Sequence, residues 1–430
     1  MYSNFFAVIS AVVLCSVILA CSSVSAEGEE KKDTEEDIFK ELRAIPNVEL
    51  DFKLFKLGRL FLDPRMNSDN NMSLGKFGLK GMDVLLTESR CDNPATRAVK
   101  LVVFDYTLAY FFVALNHEMG HAYRAEEAGI PSEIVMYVRN KLIGLNEDKM
   151  PFTSISFGKK YTLATDEYWI DHLMIYLGGM EADIVKNNKL AEDIMKSERM
   201  GFYDGFMYLV GKCTHIDEFL NGNYPDVWDG VDDAEEEERW GGRDVFEYLI
   251  SLDYLGVRVN GANITSGGFW NMLDSFLAMS FFFNMFNIAT GARQLPMPRC
   301  MVATDYVLAP YGPEVMMNFY YKSKENIVTK IYARKSIGQS YGAGIKIINI
   351  PFKTGVSDRL GFGCEFWRQD FPELLEKYQG SGIGIEIEAE KEVGKETSIT
   401  LGLRAKTKGY RLGDRLGADL SLYFGITIYW

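Results

Sequence analysis

The sequence predicts an α+β fold in which a helical region is inserted between N-terminal strands and a C-terminal antiparallel β-barrel or sheet. Three observations carry this. From Val302 to the end, short alternating runs are separated by glycine-rich or charged turns. The same two-residue period occurs at Val48, Leu50, Phe52 and Leu54 near the other end. Between them lie long apolar runs with helical spacing.

The elements follow in chain order. Residues 1–26 read as an export signal: an apolar run from Phe5 to Ala20, small residues at Ser22–Ala26, then the charged Glu27. Its start carries neither Lys nor Arg, and Leu19-Ala20-Cys21 offers a second, lipoprotein-like cleavage position. Residues 27–45 form a charged linker, and 46–94 are assigned to N-terminal β strands. Residues 95–292 are the helical region, in which Val102–Phe104 and Leu108–Leu115 lead into Asn116–Arg124 with no proline. Met150–Phe157 reads as a strand, and Leu177–Asp183 as part of a second helix. Phe269–Ile288 is apolar but interrupted by Asn271, Asp274, Asn284 and Asn287, which favours a helix packed on the protein over a simple membrane span.

Residues 293–430 form the C-terminal antiparallel region. In its last run Leu416, Ala418, Leu420, Leu422, Phe424, Ile426, Ile428 and Trp430 share one face, opposite Asp419, Ser421, Tyr423 and Thr427. Ile399, Leu401, Leu403 and Ala405 repeat the pattern, as do Ile383, Ile385, Ile387 and Ala389. Glutamates and basic residues occupy the other face, where they can pair across a lumen. An unbroken apolar face backed by a polar one is what a bilayer-spanning barrel strand requires, although a soluble sandwich shows the same alternation. The run resembles the final strands of bacterial outer-membrane β-barrels, which end in Phe or Trp. That resemblance implies an exported protein in contact with outer-membrane lipid.

The chemistry-bearing motif is His117-Glu118-Met119-Gly120-His121. Residues four apart on an α-helix return to one face, so both imidazoles can reach one metal ion with Glu118 beside it. The chain has only four histidines in 430 residues, which makes coincidence a poor explanation. Gly120 costs a helix about 1 kcal/mol relative to alanine, so its place between the histidines suggests a close backbone approach. A catalytic zinc site takes three protein ligands and leaves one position open.

Together with Leu177-Gly178-Gly179-Met180-Glu181-Ala182-Asp183, the motif resembles the gluzincin metallopeptidases, a zincin-like group. The resemblance implies zinc (Zn2+), with His117, His121 and Glu181 as ligands and Glu118 as general base, acting on a peptide or protein substrate. It covers two short segments. Those enzymes often place an aspartate four positions after the glutamate, whereas Asp183 follows Glu181 by two; intramembrane peptidases share HExGH but use an aspartate as third ligand. Asp183 and His172 therefore remain rivals to Glu181. Asp183, Asp105 and Asp171 are candidates to orient an imidazole from behind. Tyr123 and Arg124 are candidates for oxyanion support, and His172 and His215 read either as packed histidines or in that role. A strand at 150–157 implies, by the same resemblance, substrate held in extended form.

Composition narrows the remaining classes. A net charge of −14 without a basic stripe argues against nucleic acid. Much of it lies in the acidic run 226–238, which reads as a solvated loop without the spacing of an EF-hand. Cys91, Cys213, Cys300 and Cys364 make no CxxC pair, and if disulfide-bonded they allow three connectivities. The expectation is thus a zinc metallopeptidase at the bacterial outer membrane, with periplasmic and inner-membrane locations as alternatives. Two competing readings stand beside it. One is a non-enzymatic outer-membrane barrel, a pore or adhesin with a structural metal or none. The other is an inner-membrane zinc protease spanning the bilayer at 99–116 and 269–288. Oligomeric state is not encoded in any feature of the sequence.

Overall fold

The computed structural model describes residues 40–56, 63–89, 91–135, 152–156, 160–161, 163–220, 243–352, 354 and 357–429. The signal segment, most of the charged linker, the acidic run 226–238, Met150, Pro151, Phe157 and Trp430 lie outside them. The order is β1 (Glu49–Lys56), α1 (Pro64–Glu88), α2 (Pro94–Lys100), a π-helical turn (Leu101–Asp105) and α3 (Tyr106–Glu127). There follow β2 (Ser132–Val135), β3 (Phe152–Ile155), α4 (Asp166–Lys196), β4 (Arg199–Gly201) and α5 (Phe202–Leu220). Next come α6 (Arg243–Tyr254), α7 (Gly261–Asn271), α8 (Ser275–Thr290) and β5 (Gln294–Pro296). The chain ends in β6 (Cys300–Val307), β7 (Glu314–Lys322), β8 (Val328–Ser336), β9 (Tyr341–Pro351), β10 (Arg359–Gln369), β11 (Gly380–Glu392), β12 (Thr397–Lys406) and β13 (Asp419–Tyr429).

The insertion architecture is present: helices occupy the middle of the chain, between β1 and the C-terminal meander. One nine-stranded antiparallel sheet runs β1-β13-β12-β11-β10-β9-β8-β7-β6. The two chain ends do meet, through β1 and β13, with Leu50 opposite Ile428 and Phe52 opposite Ile426. The sheet does not close into a barrel, because β1 and β6 do not pair among the described residues. Helices cover both of its edges instead.

Residues 46–94 are not mainly strand. Among its described residues β1 is the one strand, and α1 takes up most of the rest. The polar run Asn67-Ser68-Asp69-Asn70-Asn71 disguises that helix in the sequence. These side chains are buried or half-buried, and Ser68, Asp69, Asn70 and Asn71 engage neighbouring elements; the Ser68 hydroxyl donates to Asn116 Oδ1 at 3.2 Å. The apolar stretch 269–288 is also two elements, α7 and α8, which meet at a 56° bend. Asp274 caps α8 there, its carboxylate accepting from the amides of Phe276 and Leu277 at 2.9 and 3.1 Å. By contrast the helical run Pro94–Glu127 is long and apolar enough to cross a membrane, and only 22 % of its most apolar stretch is buried.

The core lies between α4, α5 and the concave side of the sheet. One cluster joins Met207, Phe206 and Phe283 to Met301 and Tyr320; a second joins Leu177, Tyr248 and Leu252 to Tyr306 and Tyr410. Each fully buried large side chain contributes roughly 1.5–3 kcal/mol. α4 runs through the middle and is buried along most of its 31 residues, including Asp183 and Lys186. The cysteines of the described residues are free thiols, so no disulfide framework forms.

Candidate metal centre

The site is built where α3 crosses α4. Gly120 and Gly178 meet backbone to backbone: a Cβ on Gly120 would lie 2.2 Å from the carbonyl oxygen of Gly178. No larger residue fits at that crossing. The close approach sets both histidines of α3 against the next residue of α4, Gly179. A Cβ there would fall 2.4 Å from Nε2 of His121 and 2.5 Å from Nε2 of His117. The missing side chain of Gly179 leaves the space in which the two ring nitrogens converge.

Each ring is oriented from behind. His117 Nδ1 lies 2.7 Å from Asp183 Oδ2, and His121 Nδ1 lies 2.7 Å from the carbonyl oxygen of Ile175. With Nδ1–H donated to these acceptors, both Nε2 lone pairs face the same point. Asp183 is itself held by the buried ammonium of Lys186 at 2.6 Å. Asp183 thus takes the orienting role that the sequence left open.

The third group is Asp244, in the first turn of α6. Its Oδ2 lies 2.8 Å from His117 Nε2 and 3.0 Å from His121 Nε2, and the two Nε2 atoms are 3.1 Å apart. Burial works against the charge of Asp244, but His121 and His117 outweigh it and hold the carboxyl well below the usual carboxylate range. Three ligand atoms of this kind around zinc, at about 2.0–2.1 Å from the ion, would sit roughly 3.3 Å from one another in a tetrahedron. The triangle is slightly tighter than that and matches in shape, leaving a fourth corner outside its plane. His117, His121 and Asp244 form the group able to hold a metal ion among the described residues.

Glu181 is not part of it. Gly179 faces the imidazoles and Asp183, four residues on, shares that face. Glu181 is two residues from Gly179, about 200° round the helix, and points the other way. There it is buried against Arg124, whose Nε donates at 3.0 Å, and against the Gly413 amide at 2.7 Å. Arg124 also holds Glu127 and the carbonyl of Asp414, so it locks α3 and α4 to the loop before β13 and supports no oxyanion. Tyr123 donates to Glu127 at 3.1 Å on the same side.

The other candidates are elsewhere. Asp105 pairs with Lys100. Asp171 binds Lys160 and Tyr161. His172 Nδ1 is 2.8 Å from the Ser251 hydroxyl, and its ring packs against Tyr176 at a 47° tilt. His215 lies 3.3 Å from the carbonyl of Tyr306 at the sheet edge. None of the four reaches the metal group.

Glu118 lies beside the pair, close enough to act electrostatically on His121. The backbone amide of Thr153 in β3 donates to its Oε2 at 2.7 Å, and the Thr153 hydroxyl donates to its carbonyl at 2.8 Å. The small sheet explains the direction of that amide. Pro131 accepts from Ser156 across β2–β3, so alternate residues of β3 pair with β2 and Thr153 turns its N–H to the opposite edge. Within the described residues that edge faces the motif.

Asp244 escaped the sequence reading because its only local mark is an acid in the first turn of a helix, which the helix dipole favours anywhere. Glu218, near the end of α5, also escaped the sequence reading: burial, then the charge of Asp244, pushes its carboxyl up to about 7. No family model, curated protein or solved structure matches the chain.

Proposed function

We propose that the chain is a zinc-dependent metallopeptidase in which His117, His121 and Asp244 hold the ion and Glu118 is the general base. The supporting observation is the convergence of two imidazole Nε2 atoms and one carboxylate oxygen within 3.1 Å, each ring fixed by a partner at its far nitrogen. Lone pairs brought this close repel unless a cation or protons lie between them.

A zinc ion held there supplies Lewis acidity to a carbonyl oxygen and acidifies water. The protein groups do the rest. Glu118 accepts the proton of the attacking water and returns it to the leaving amine. The Thr153 amide holds one oxygen of Glu118, which fixes the direction from which the proton is taken. The edge of β3 that carries this amide offers backbone groups to an extended peptide beside the same carboxylate.

Two imidazoles and one carboxylate also suit iron(II). The adjacent Glu118 favours hydrolysis, which needs a proton acceptor next to the ion. The test is metal analysis of the purified chain, followed by peptide cleavage with zinc restored. Cleavage should disappear in Glu118→Gln while bound zinc is unchanged. Cleavage unaffected by that substitution, or zinc retained after Asp244→Asn, would overturn the assignment.

A further inference from the structure

The nine-stranded sheet has its polarity inverted relative to a soluble protein. On the convex side, one lateral row runs Phe319, Ile331, Ile345, Cys364, Ile385, Ala405 and Leu420 from β7 to β13 without a polar residue. Parallel rows add further exposed side chains, among them Met317 at 50 %, Phe366 at 54 % and Leu401 at 51 %. The concave side carries the charges, paired with one another and with the helices. Glu386 lies between Arg65, Lys346, Arg404 and Arg411, at 3.2–3.7 Å, and Glu192 of α4 binds Lys330 and Lys346.

An open sheet presents unpaired backbone groups at its two edges, which hydrocarbon does not tolerate. Here both edges are sealed by helix side chains. At β1, the Ser73 hydroxyl of α1 accepts from the Asp51 amide at 2.8 Å and donates to its carbonyl at 3.1 Å. The Asn70 amide group does the same for Lys53, at 2.8 and 3.3 Å. At β6 the arrangement recurs on unrelated helices. Ser275 of α8 serves both backbone groups of Val302 at 2.8 Å, and Asn271 accepts from the Tyr306 amide at 2.9 Å. Lys212 and His215 of α5 reach the carbonyls of Thr304 and Tyr306.

The sealing helices complete a perimeter. α1 packs on β1 and α3, α8 packs on β6 and α2, and α2 continues into α3. Their outer faces are apolar too: Phe77 of α1, Val102 and Phe104 beside α3, and Met285 of α8 are 44–68 % exposed. The apolar face of the sheet ends in charge in both directions. Lys335, Tyr341 and Arg368 form one row, with Ser381 opposite Arg368, and Lys391 lies at the far end of β11. From Ser381 to Lys391 is about 34 Å along the strand, or roughly 25 Å across a layer if the strand is tilted by about 40°. That is the height of the apolar band on strands that cross a bilayer.

We infer that this perimeter faces lipid hydrocarbon: the protein spans a bilayer as a half-barrel of nine strands closed by helices, with hydroxyl and carboxamide side chains in place of the missing strand-to-strand ladder. The occupant of the convex face is acyl chain. A water-facing surface would not put its aliphatic residues outward and its ion pairs inward, and a partner protein would need only one side of a perimeter that is apolar on strands and helices alike. This inference does not depend on the metal site.

The test uses the full chain with its native cysteines replaced by serine and nitroxide labels attached singly through a cysteine at Ile385, Leu403 or, as control, the exposed Lys408, after mixing with phosphatidylcholine–phosphatidylglycerol vesicles. Collision with dissolved oxygen should dominate at Ile385 and Leu403, and collision with a water-soluble nickel chelate at Lys408. Ile385→Arg should lower the vesicle-bound fraction. Native Cys364 in the unlabelled chain, on the same row, should resist a water-soluble maleimide only when lipid is present. Failure to bind vesicles, nickel-accessible labels at Ile385 and Leu403, or shielding of Cys364 by a second copy in lipid-free buffer would overturn the inference.

Discussion

Asp183 sits with one carboxylate oxygen 2.7 Å from Nδ1 of His117 and the other 2.6 Å from the ammonium of Lys186. It is fully buried, so this single acid couples the helix that carries the histidines to the central helix. Replacing it by asparagine keeps the volume and removes the charge that polarises the imidazole. Asp183→Asn should weaken zinc binding by about 10–100-fold, read by competition with a chromophoric chelator.

Asp244 and Glu181 give opposite expectations. Asp244→Asn removes a ligand oxygen's charge and should cost at least about 100-fold in zinc affinity. Glu181→Gln leaves Arg124 buried beside a neutral amide, and should destabilise folding by roughly 3 kcal/mol while zinc affinity holds. Chemical denaturation and zinc titration of both variants check the pair.

Gly179→Ala tests the shape of the cavity. Its methyl group would overlap both Nε2 atoms, at 2.4 and 2.5 Å. Zinc binding should be lost in metal analysis at equimolar zinc. Gly81→Ala, on α1 with no atom within 4 Å of the added carbon, is the control and should be neutral or stabilising by up to about 1 kcal/mol.

Acid should release the metal and then unsettle the metal-free site. Zinc requires neutral imidazoles, and in the metal-free site protons compete for the same nitrogens, so affinity should fall as the pH drops. In the metal-free protein the carboxyl of Asp244 is held below its unfolded value. Its contribution is therefore complete above the unfolded pKa of about 3.9 and is lost as pH falls toward the lower folded value. Melting temperatures of metal-free protein and Asp244→Asn should converge as the pH drops below about 4.

Much of this protein was written locally. The two-residue alternation at 383–389, 399–405 and 419–429 determined strands with one apolar and one polar face, because strand side chains alternate by geometry alone. His117 and His121 were bound to share a helical face for the same kind of reason, and Gly120 marked a close approach. What the tertiary structure decided was everything that depends on which distant segments meet. Glu181 and Asp183 are two residues apart on one helix, yet only the rotation of α4 about its Gly178 contact with Gly120 sends one to Arg124 and the other to His117. Asp244 reaches the site from a helix more than a hundred residues downstream, with no periodicity of its own to announce it. Closure was decided there too. The alternation specifies strands but not how many complete a ring, and at the two ends of this sheet Ser73, Asn70, Ser275 and Asn271 supply from helices the hydrogen bonds that a further strand would have given.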